Sequence, residues 1–327
     1  MVIPMIIDII NIDKNTSYSL AGFSILLPFV VSRLVVRKYS KALFLEYLEK
    51  VCLVVSITSL IGMCFLIYYP KIVLGFPTIT FYGRRVYTVG VWGAIENALG
   101  DDLLRRNCGI GFEPGAFQFV ANTGMALLLK RCFPIPTKNR LRGSIKAILQ
   151  LLVYITTVLS TRSTTGIFIM TLLLGMSIIE NATSLIFSII ASPLCVVLFS
   201  KTIVDQAAKL ATGNLALRFQ NTVYVLKTYW FYFLGIGSTQ YDKLYRIDSR
   251  IGSWDVFSNM YLRFGVFFVG LLIYRLCKVR KDSWKLLGVT ALSLLTESLL
   301  GPVVFVMIEH ANNNHRHGTS RHRFTRL

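Results

Sequence analysis

Acidic residues are scarce in this chain, which has 16 Asp and Glu against 35 Lys and Arg in 327 residues. Histidine is scarcer still, and all four copies lie in the tail, at His310, His315, His317 and His322. The sequence has no C-x-x-C or His-x-x-His spacing, no glycine-rich phosphate loop, no G-x-S-x-G turn and no internal repeat. These absences exclude the common zinc, P-loop and α/β-hydrolase sites and any repeat architecture.

Apolar residues are abundant, at 54% of the chain, and the mean hydropathy is +0.58. Runs long enough to cross a hydrocarbon layer of ~30 Å lie at 16–32, 51–69, 114–129, 145–160, 164–180, 184–200, 259–277 and 285–308. The pattern predicts an all-α integral membrane protein, a bundle of about eight transmembrane helices in one polytopic domain over 1–327.

Basic residues are concentrated in three short connections, which follow the first predicted helix or lie around 130–146 and 275–285. Because cytoplasmic loops collect Lys and Arg, we expect the N-terminus and two long loops, 70–113 and 201–258, on the outer face. The basic tail, 309–327, lies outside if 285–308 is one crossing. It lies inside if Gly301-Pro302 breaks that segment into a re-entrant pair, and the sequence leaves both arrangements open.

A net charge of +19 raises the question of nucleic acid. The cytoplasmic loops explain most of this charge, and they favour anionic membrane lipids as partners rather than nucleic acid. Positive charge kept on the outer face indicates either surface ion pairs of little consequence or an anionic ligand. The outer-face cations are Arg84, Arg85, Arg105, Arg106, Arg162, Lys201, Lys209, Arg218, Lys227, Lys243, Arg246 and Arg250.

A polar hinge turns into an apolar helix at Glu113-Pro114. Pro114 suits the first helical position, and Glu113 would lie at the positive end of the helix dipole, so a simple helix cap explains the pair. A cap does not explain Arg105 and Arg106, because arginines at a membrane boundary are costly unless something anionic pairs with them.

The second long loop carries an aromatic-rich, amphipathic stretch over 214–234, ended by Gly235-Ile236-Gly237-Ser238. We expect this stretch to form a helix at the outer membrane interface, where aromatic side chains anchor proteins. Aromatic rings also stack on sugars, and the pattern does not separate the two uses.

Four motifs in this chain resemble those of one family. The run RNCGIGFEPGAFQ at 106–118 closely resembles the R-x-x-G-x-x-x-E-P-G-x-F signature of bacterial O-antigen and exopolysaccharide repeat-unit polymerases (Wzy type), relatives of the O-antigen ligases. Thr156-Thr157 followed by STRSTTG at 160–166 is similar to the family's TT-x-S-T-T-G helix. Gly235-Ile236-Gly237 resembles its G-x-G turn, and Asn259 with Gly265 resembles its late N…G helix.

The resemblance implies a GT-C-like fold and a membrane glycosyltransferase of the bacterial inner membrane. Such an enzyme joins undecaprenyl-diphosphate-linked oligosaccharide repeat units on the outer, periplasmic face. Its donor is already activated on the lipid diphosphate, so no cofactor and no metal are expected. The implied partners are the lipid-linked glycan and membrane lipids, and the family admits a chain-length-regulating protein as a further partner.

The resemblance also implies roles for particular residues. An arginine fork that pairs bidentately with phosphate suits a diphosphate leaving group, so Arg106 is expected to be catalytic. Glu113 is the expected catalytic partner that orients or deprotonates the acceptor hydroxyl. The expected substrate-binding residues are Arg105, Arg162, Arg218, Ser163, Thr164 and Gly237. Close helix packing is an alternative explanation for the Ser163 and Thr164 hydroxyls.

Two other functions are compatible with a membrane protein of this composition. An O-antigen ligase is associated with a histidine in its large outer loop, and 201–258 contains none. A transporter or flippase of lipid-linked saccharide would be expected to line a path through the bilayer with charge. The middles of the predicted crossings are nearly free of charge, which favours the polymerase.

Overall fold

The computed structural model describes residues 38–69, 78–81, 84–89, 92–95, 106–109, 114–132, 145–180, 214–248, 256–277 and 284–296, with isolated residues at 34, 71, 193, 196, 197, 200, 204 and 251. Helix makes up most of this part of the chain. The helices are α1 (Lys41–Tyr68), α2 (Pro114–Cys132), α3 (Ile145–Thr161), α4 (Thr164–Glu180), α5 (Asn214–Thr228), α6 (Gly237–Ile247), α7 (Val256–Cys277) and α8 (Trp284–Thr296).

These helices confirm the helical character of the predicted apolar segments that the structure describes. The sequence prediction for α4 agrees at both ends, and those for α2 and α3 differ by at most a few residues. The prediction for α1 was wrong at its start, because the helix begins at Lys41 with Ser40 as its N-cap, ten residues before the expected 51. The predicted segments 16–32 and 184–200 and the tail 309–327 lie outside the described residues, apart from isolated positions.

In the part of the chain that the structure describes, two helices are long and apolar enough to cross a membrane, over Lys41–Phe65 and Phe257–Tyr274. Ile145–Thr161 and Thr164–Ile178 are apolar but shorter. The helix α7 is broken at Gly265, whose φ of 80° and ψ of 177° lie outside the helical region. The long loop 201–258 contains α5 and α6, and α5 ends at Thr228, before the aromatic run that the sequence analysis placed in the same helix.

A small antiparallel sheet lies within the predicted loop 70–113, and the all-α prediction omitted it. Its strands are β1 (Thr78–Phe81), β2 (Arg84–Val89), β3 (Trp92–Ile95) and β4 (Arg106–Asn107), paired in that order. The sequence carries a signal for it, since TITF, RRVYTV and WGAI are rich in β-branched and aromatic residues and are separated by Tyr82-Gly83 and Gly90-Val91.

The helix α2 is the centre of the packing. It contacts α1, α3, α4 and α8, and it is buried on nearly all sides. Phe117, Met125 and Leu129 on this helix are completely buried. Burial on nearly all sides places this helix in the interior of the bundle. The sheet and the turn between α3 and α4 are both tied to the start of this central helix, which is where the signature residues lie.

Candidate active site

Arg106 reaches from β4 to the C-terminal end of α3. Its Nε donates a hydrogen bond to the Thr161 carbonyl at 3.0 Å, and its Nη2 donates to the Arg162 carbonyl at 3.3 Å. The last carbonyls of a helix lack intrahelical partners and carry partial negative charge, so a guanidinium is stabilised there. The first and second signature motifs, which are far apart in sequence, are therefore joined through Arg106.

Arg162 forms the turn between α3 and α4. Its φ of 50° is positive, and it is the only non-glycine residue with positive φ in the part of the chain that the structure describes. Its side chain is exposed, and among the described residues it takes part in no ion pair. A left-handed conformation costs a non-glycine residue roughly 1–2 kcal/mol. Arg162 therefore holds a strained backbone conformation that would suit glycine. Such strain is concentrated at functional sites.

Asn107 fixes the position of the strand that carries Arg106. It is completely buried, and its Nδ2 donates to Ser59 Oγ on α1 at 3.1 Å and to Ser160 Oγ on α3 at 3.0 Å. Its Oδ1 accepts from the Gly109 N–H at 3.0 Å. A buried amide with these partners is costly to replace, because three buried hydrogen bonds are lost together. Asn107 therefore ties the first signature motif to two helices.

Gly109 allows the chain to pass close to α2. Its φ is 46°, and a Cβ at this position would lie 2.3 Å from the ring of Phe117, which is itself completely buried. No side chain fits there unless the ring moves. The glycine of the R-x-x-G pattern thus has a steric explanation within this structure.

The start of α4 is fixed by the hydroxyls of the second motif. Ser163 Oγ accepts from the Gly166 N–H at 3.2 Å, and the Ser163 N–H donates to Thr161 Oγ1 at 3.2 Å. Thr164 is buried. Ser163 is therefore used as a helix cap, which is a local role at the start of its own helix.

A buried polar seam continues from this turn into the bundle. Asn122 Nδ2 donates to Gln118 Oε1 at 2.8 Å and to the Gly166 carbonyl at 3.0 Å. Gln118 Nε2 in turn lies 3.5 Å from Ser293 Oγ on α8. Hydrogen bonds of this kind hold helices together where the surroundings are apolar. The sequence analysis named Gln118 only as the end of a motif and did not identify Asn122.

Of the other predicted site residues, the structure describes the surroundings of Gly237 but not those of Arg105, Glu113 or the Arg218 side chain. Arg105 and Glu113 lie outside the described residues, immediately before β4 and α2 respectively. Arg218 lies on α5, and its side chain is outside the description. Gly237 begins α6 with a φ of 78°, beside a second apolar cluster that contains Val225, Ile236, Tyr241, Ile251 and Leu262.

A charged residue that no sequence motif indicated lies against this second cluster. Arg263 lies on α7, inside the stretch apolar enough to cross a membrane, with its guanidinium carbon 4.3 Å from the centre of the Tyr241 ring. An arginine over an aromatic face is stabilised by the ring quadrupole. The place of Arg263 within an apolar segment was readable from the sequence, but its aromatic partner was not. Among the described residues, no group of three His, Cys, Asp or Glu side chains could hold a metal ion.

Comparison of the chain with protein-family models, with curated proteins and with solved structures finds no match.

Proposed function

We propose that this protein is a multi-pass membrane glycosyltransferase that joins undecaprenyl-diphosphate-linked repeat units on the outer face of a bacterial inner membrane. The observation that carries this proposal is the contact of Arg106 with the carbonyls of Thr161 and Arg162. It brings together the two most specific motifs of the resemblance, and it sets two arginines at one end of α3. That end is the outer one in the topology inferred from the basic loops.

The two arginines are suited to different tasks. Arg106 holds the turn in place through hydrogen bonds to its carbonyls. The Arg162 side chain is exposed on the surface of the protein at that turn. A guanidinium pairs bidentately with phosphate oxygens and keeps its charge at any physiological pH. Arg162 is therefore assigned to the donor diphosphate, and Arg106 supports it while contributing its own positive charge to the same region.

The reaction proposed for this site is a single displacement at the anomeric carbon of the donor. The acceptor hydroxyl forms a bond to that carbon while the bond from carbon to the diphosphate oxygen breaks. Undecaprenyl diphosphate leaves with the electron pair, and the arginines stabilise the charge that grows on it. The hydroxyl proton passes to a base, for which Glu113 is proposed because it directly precedes α2 in the first motif.

The test uses a strain in which the gene is deleted and variants are supplied in its place. Arg106→Lys keeps the charge but loses the fork, and Glu113→Gln removes the base while keeping the size. We expect both variants to lose most of the polymer ladder at normal membrane abundance. The matched control is Gly175→Ala on α4, where a Cβ would meet open space, and its ladder should be normal.

The deletion strain separates the proposed function from its alternatives. Loss of a polymerase leaves lipid A core that carries one repeat unit, whereas loss of a flippase or a ligase leaves core that carries none. Normal ladders from equally abundant Arg106→Lys and Glu113→Gln proteins would remove these two residues from the active site but leave the family assignment standing.

A further inference from the structure

The aromatic run that follows α5 is bound to the middle of α7. The Phe233 carbonyl accepts a hydrogen bond from the Val266 N–H at 2.9 Å, and the Ile236 N–H donates to the Leu262 carbonyl at 2.7 Å. These two hydrogen bonds lie on either side of Gly265, where the backbone of α7 leaves the helical conformation. We name residues 229–236 the aromatic turn.

Two glycines make this close approach possible. A Cβ on Gly265 would lie 2.2 Å from the Phe233 carbonyl oxygen, and a Cβ on Gly235 would lie 2.6 Å from the Arg263 carbonyl oxygen. Both glycines have a φ of 80°. The contact is made from backbone to backbone, so the aromatic turn and the broken helix form one structural unit.

The length of α7 places this unit at the level of the bilayer. At 1.5 Å per residue, the part of the helix after the break, 266–277, extends about 18 Å. A hydrocarbon layer is about 30 Å thick, so this part alone is too short to cross it. The half of α7 before Gly265, together with the aromatic turn bonded to it, has to span the rest of the hydrocarbon layer.

The side chains of the aromatic turn sort into an inner and an outer set. Tyr229 and Tyr232 pack against the second apolar cluster. Trp230, Phe231, Phe233 and Leu234 are 60%, 52%, 52% and 59% exposed. This exposed set continues onto α7, since Val266 and Phe267 are also exposed and Val266 is bonded to Phe233. The result is one apolar surface shared by a turn and a candidate membrane helix.

The backbone of the turn meets much of its hydrogen-bonding need within the protein. The Tyr261 hydroxyl donates to the Trp230 carbonyl at 2.6 Å and lies 3.4 Å from the Tyr229 carbonyl. The Tyr232 carbonyl accepts from the Gly235 N–H at 2.9 Å. Irregular backbone at membrane depth is tolerated only where its polar groups find such partners.

We infer that the aromatic turn is a re-entrant element inserted into the outer leaflet, with Trp230, Phe231, Phe233 and Leu234 in contact with lipid acyl chains near the headgroups. The exposed Lys227 at the end of α5 would lie at the level of the lipid phosphates. This inference revises part of the outer loop 201–258 into a membrane-embedded segment. It depends on α7 crossing the membrane and not on the proposed polymerase activity.

Tryptophan fluorescence provides the first test. Trp230 is made the only tryptophan by replacing Trp92, Trp254 and Trp284 with Phe, and the full chain is reconstituted in phosphatidylcholine–phosphatidylglycerol vesicles. We expect doxyl groups near the top of the acyl chain to quench Trp230 more strongly than doxyl groups near its middle, and iodide to quench it little. The matched control carries all four Trp→Phe replacements and Ile247→Trp, because Ile247 is 82% exposed at the end of α6.

The control probe at Ile247 should respond to iodide and not to either doxyl lipid. Equal iodide quenching at positions 230 and 247, with no doxyl effect at 230, would overturn the inference. If added oligosaccharide then protected Trp230 from iodide, the turn would be a sugar-stacking surface in water instead.

Photolabelling of the unaltered protein keeps the test valid if the tryptophan variants do not fold. A lipid with a diazirine in its upper acyl chain is activated in the same vesicles, and labelled residues are identified by mass spectrometry. We expect label within 230–234 as well as on the exposed face of α7 near Phe267. Label on α7 without any label on 230–234 would overturn the inference.

Discussion

Replacing Arg162 by glycine separates the cost of its backbone conformation from the value of its side chain. Its φ of 50° is one that glycine adopts without strain. The substitution removes roughly 1–2 kcal/mol of strain from the folded state. It also makes the unfolded chain more flexible, which offsets about 0.4–1 kcal/mol of that gain. We therefore expect Arg162→Gly to be as stable as the native protein or more stable, by up to about 1.6 kcal/mol.

The same substitution should reduce polymerisation severely. A hydrogen bond to a charged group contributes about 1.5–3 kcal/mol, so the loss of one phosphate contact corresponds to a roughly 10- to 100-fold fall in transfer rate. Arg162→Lys should also lose activity, because an ammonium is a point charge without the planar fork. The Lys variant keeps the backbone strain, so its thermal stability should match that of the native protein.

Two measurements on each variant check this reasoning. The polymer ladder in the deletion strain reports activity, and the unfolding temperature of the purified protein in detergent reports stability. A normal ladder from Arg162→Gly would show that the side chain does not contact substrate. A lost ladder accompanied by a lower unfolding temperature would show that Arg162 stabilises the turn instead, and the strained conformation would then need another explanation.

Three further substitutions test the packing around the site. Gly109→Ala should destabilise the protein by about 2–4 kcal/mol, because the new Cβ meets the Phe117 ring and the backbone is left-handed. The control Gly175→Ala, where the Cβ meets open space, should be neutral or gain up to about 1 kcal/mol. Equal unfolding temperatures for the two variants would contradict the steric argument. Asn107→Leu should cost about 2–4 kcal/mol, because it removes three buried hydrogen bonds and leaves the Gly109 N–H without this acceptor. A variant within about 0.5 kcal/mol of the native protein would show that these bonds are not formed. Gly265→Ala should detach the aromatic turn from α7 at a cost of at least about 1–3 kcal/mol. The detachment should be seen as faster proteolysis within 229–236. Unchanged proteolysis would count against the backbone contact between the turn and α7.

Hydrophobic run length predicted much of the helical framework because it depends only on local composition. Both ends of α4 were predicted from an apolar run that begins after Ser163 and stops before the polar residues that follow Glu180 in the sequence. The start of α1 at Lys41 did not, since Lys41, Glu46, Glu49 and Lys50 read as a charged loop. In the structure, Lys50 pairs with Glu46 along the helix at 2.7 Å, and Glu49 pairs with Arg131 on α2 at 2.6 Å. A charged segment becomes helical when such partners are available, and the Arg131 partner is distant in sequence.

The sequence motifs named Arg106 and Arg162 as candidate site residues, but they did not predict the contact between them. The motif resemblance selected Arg106 and Arg162, and no pattern indicated that the first would bind the backbone of the second. Contacts over 55 residues of sequence separation depend on how β4 lies against α3, which local propensity does not report. The break in α7 shows the same limit. Gly265 was noted as part of a motif, yet its role as the docking point for Phe233 follows only from the fold.

The contacts of Arg106 bear on how an activity loss at that residue should be interpreted. Its Nε and Nη2 both contact carbonyls of the turn between α3 and α4, so under the proposed function Arg106 also sets the position of Arg162. A lysine at 106 can reach one of those carbonyls but cannot hold both with a fixed geometry. If Arg106 acts only by positioning, Arg106→Lys and Arg162→Gly combined should be no worse than Arg162→Gly alone. If both guanidiniums contact the diphosphate, the two losses should multiply, because each removes a separate contribution to the same transition state.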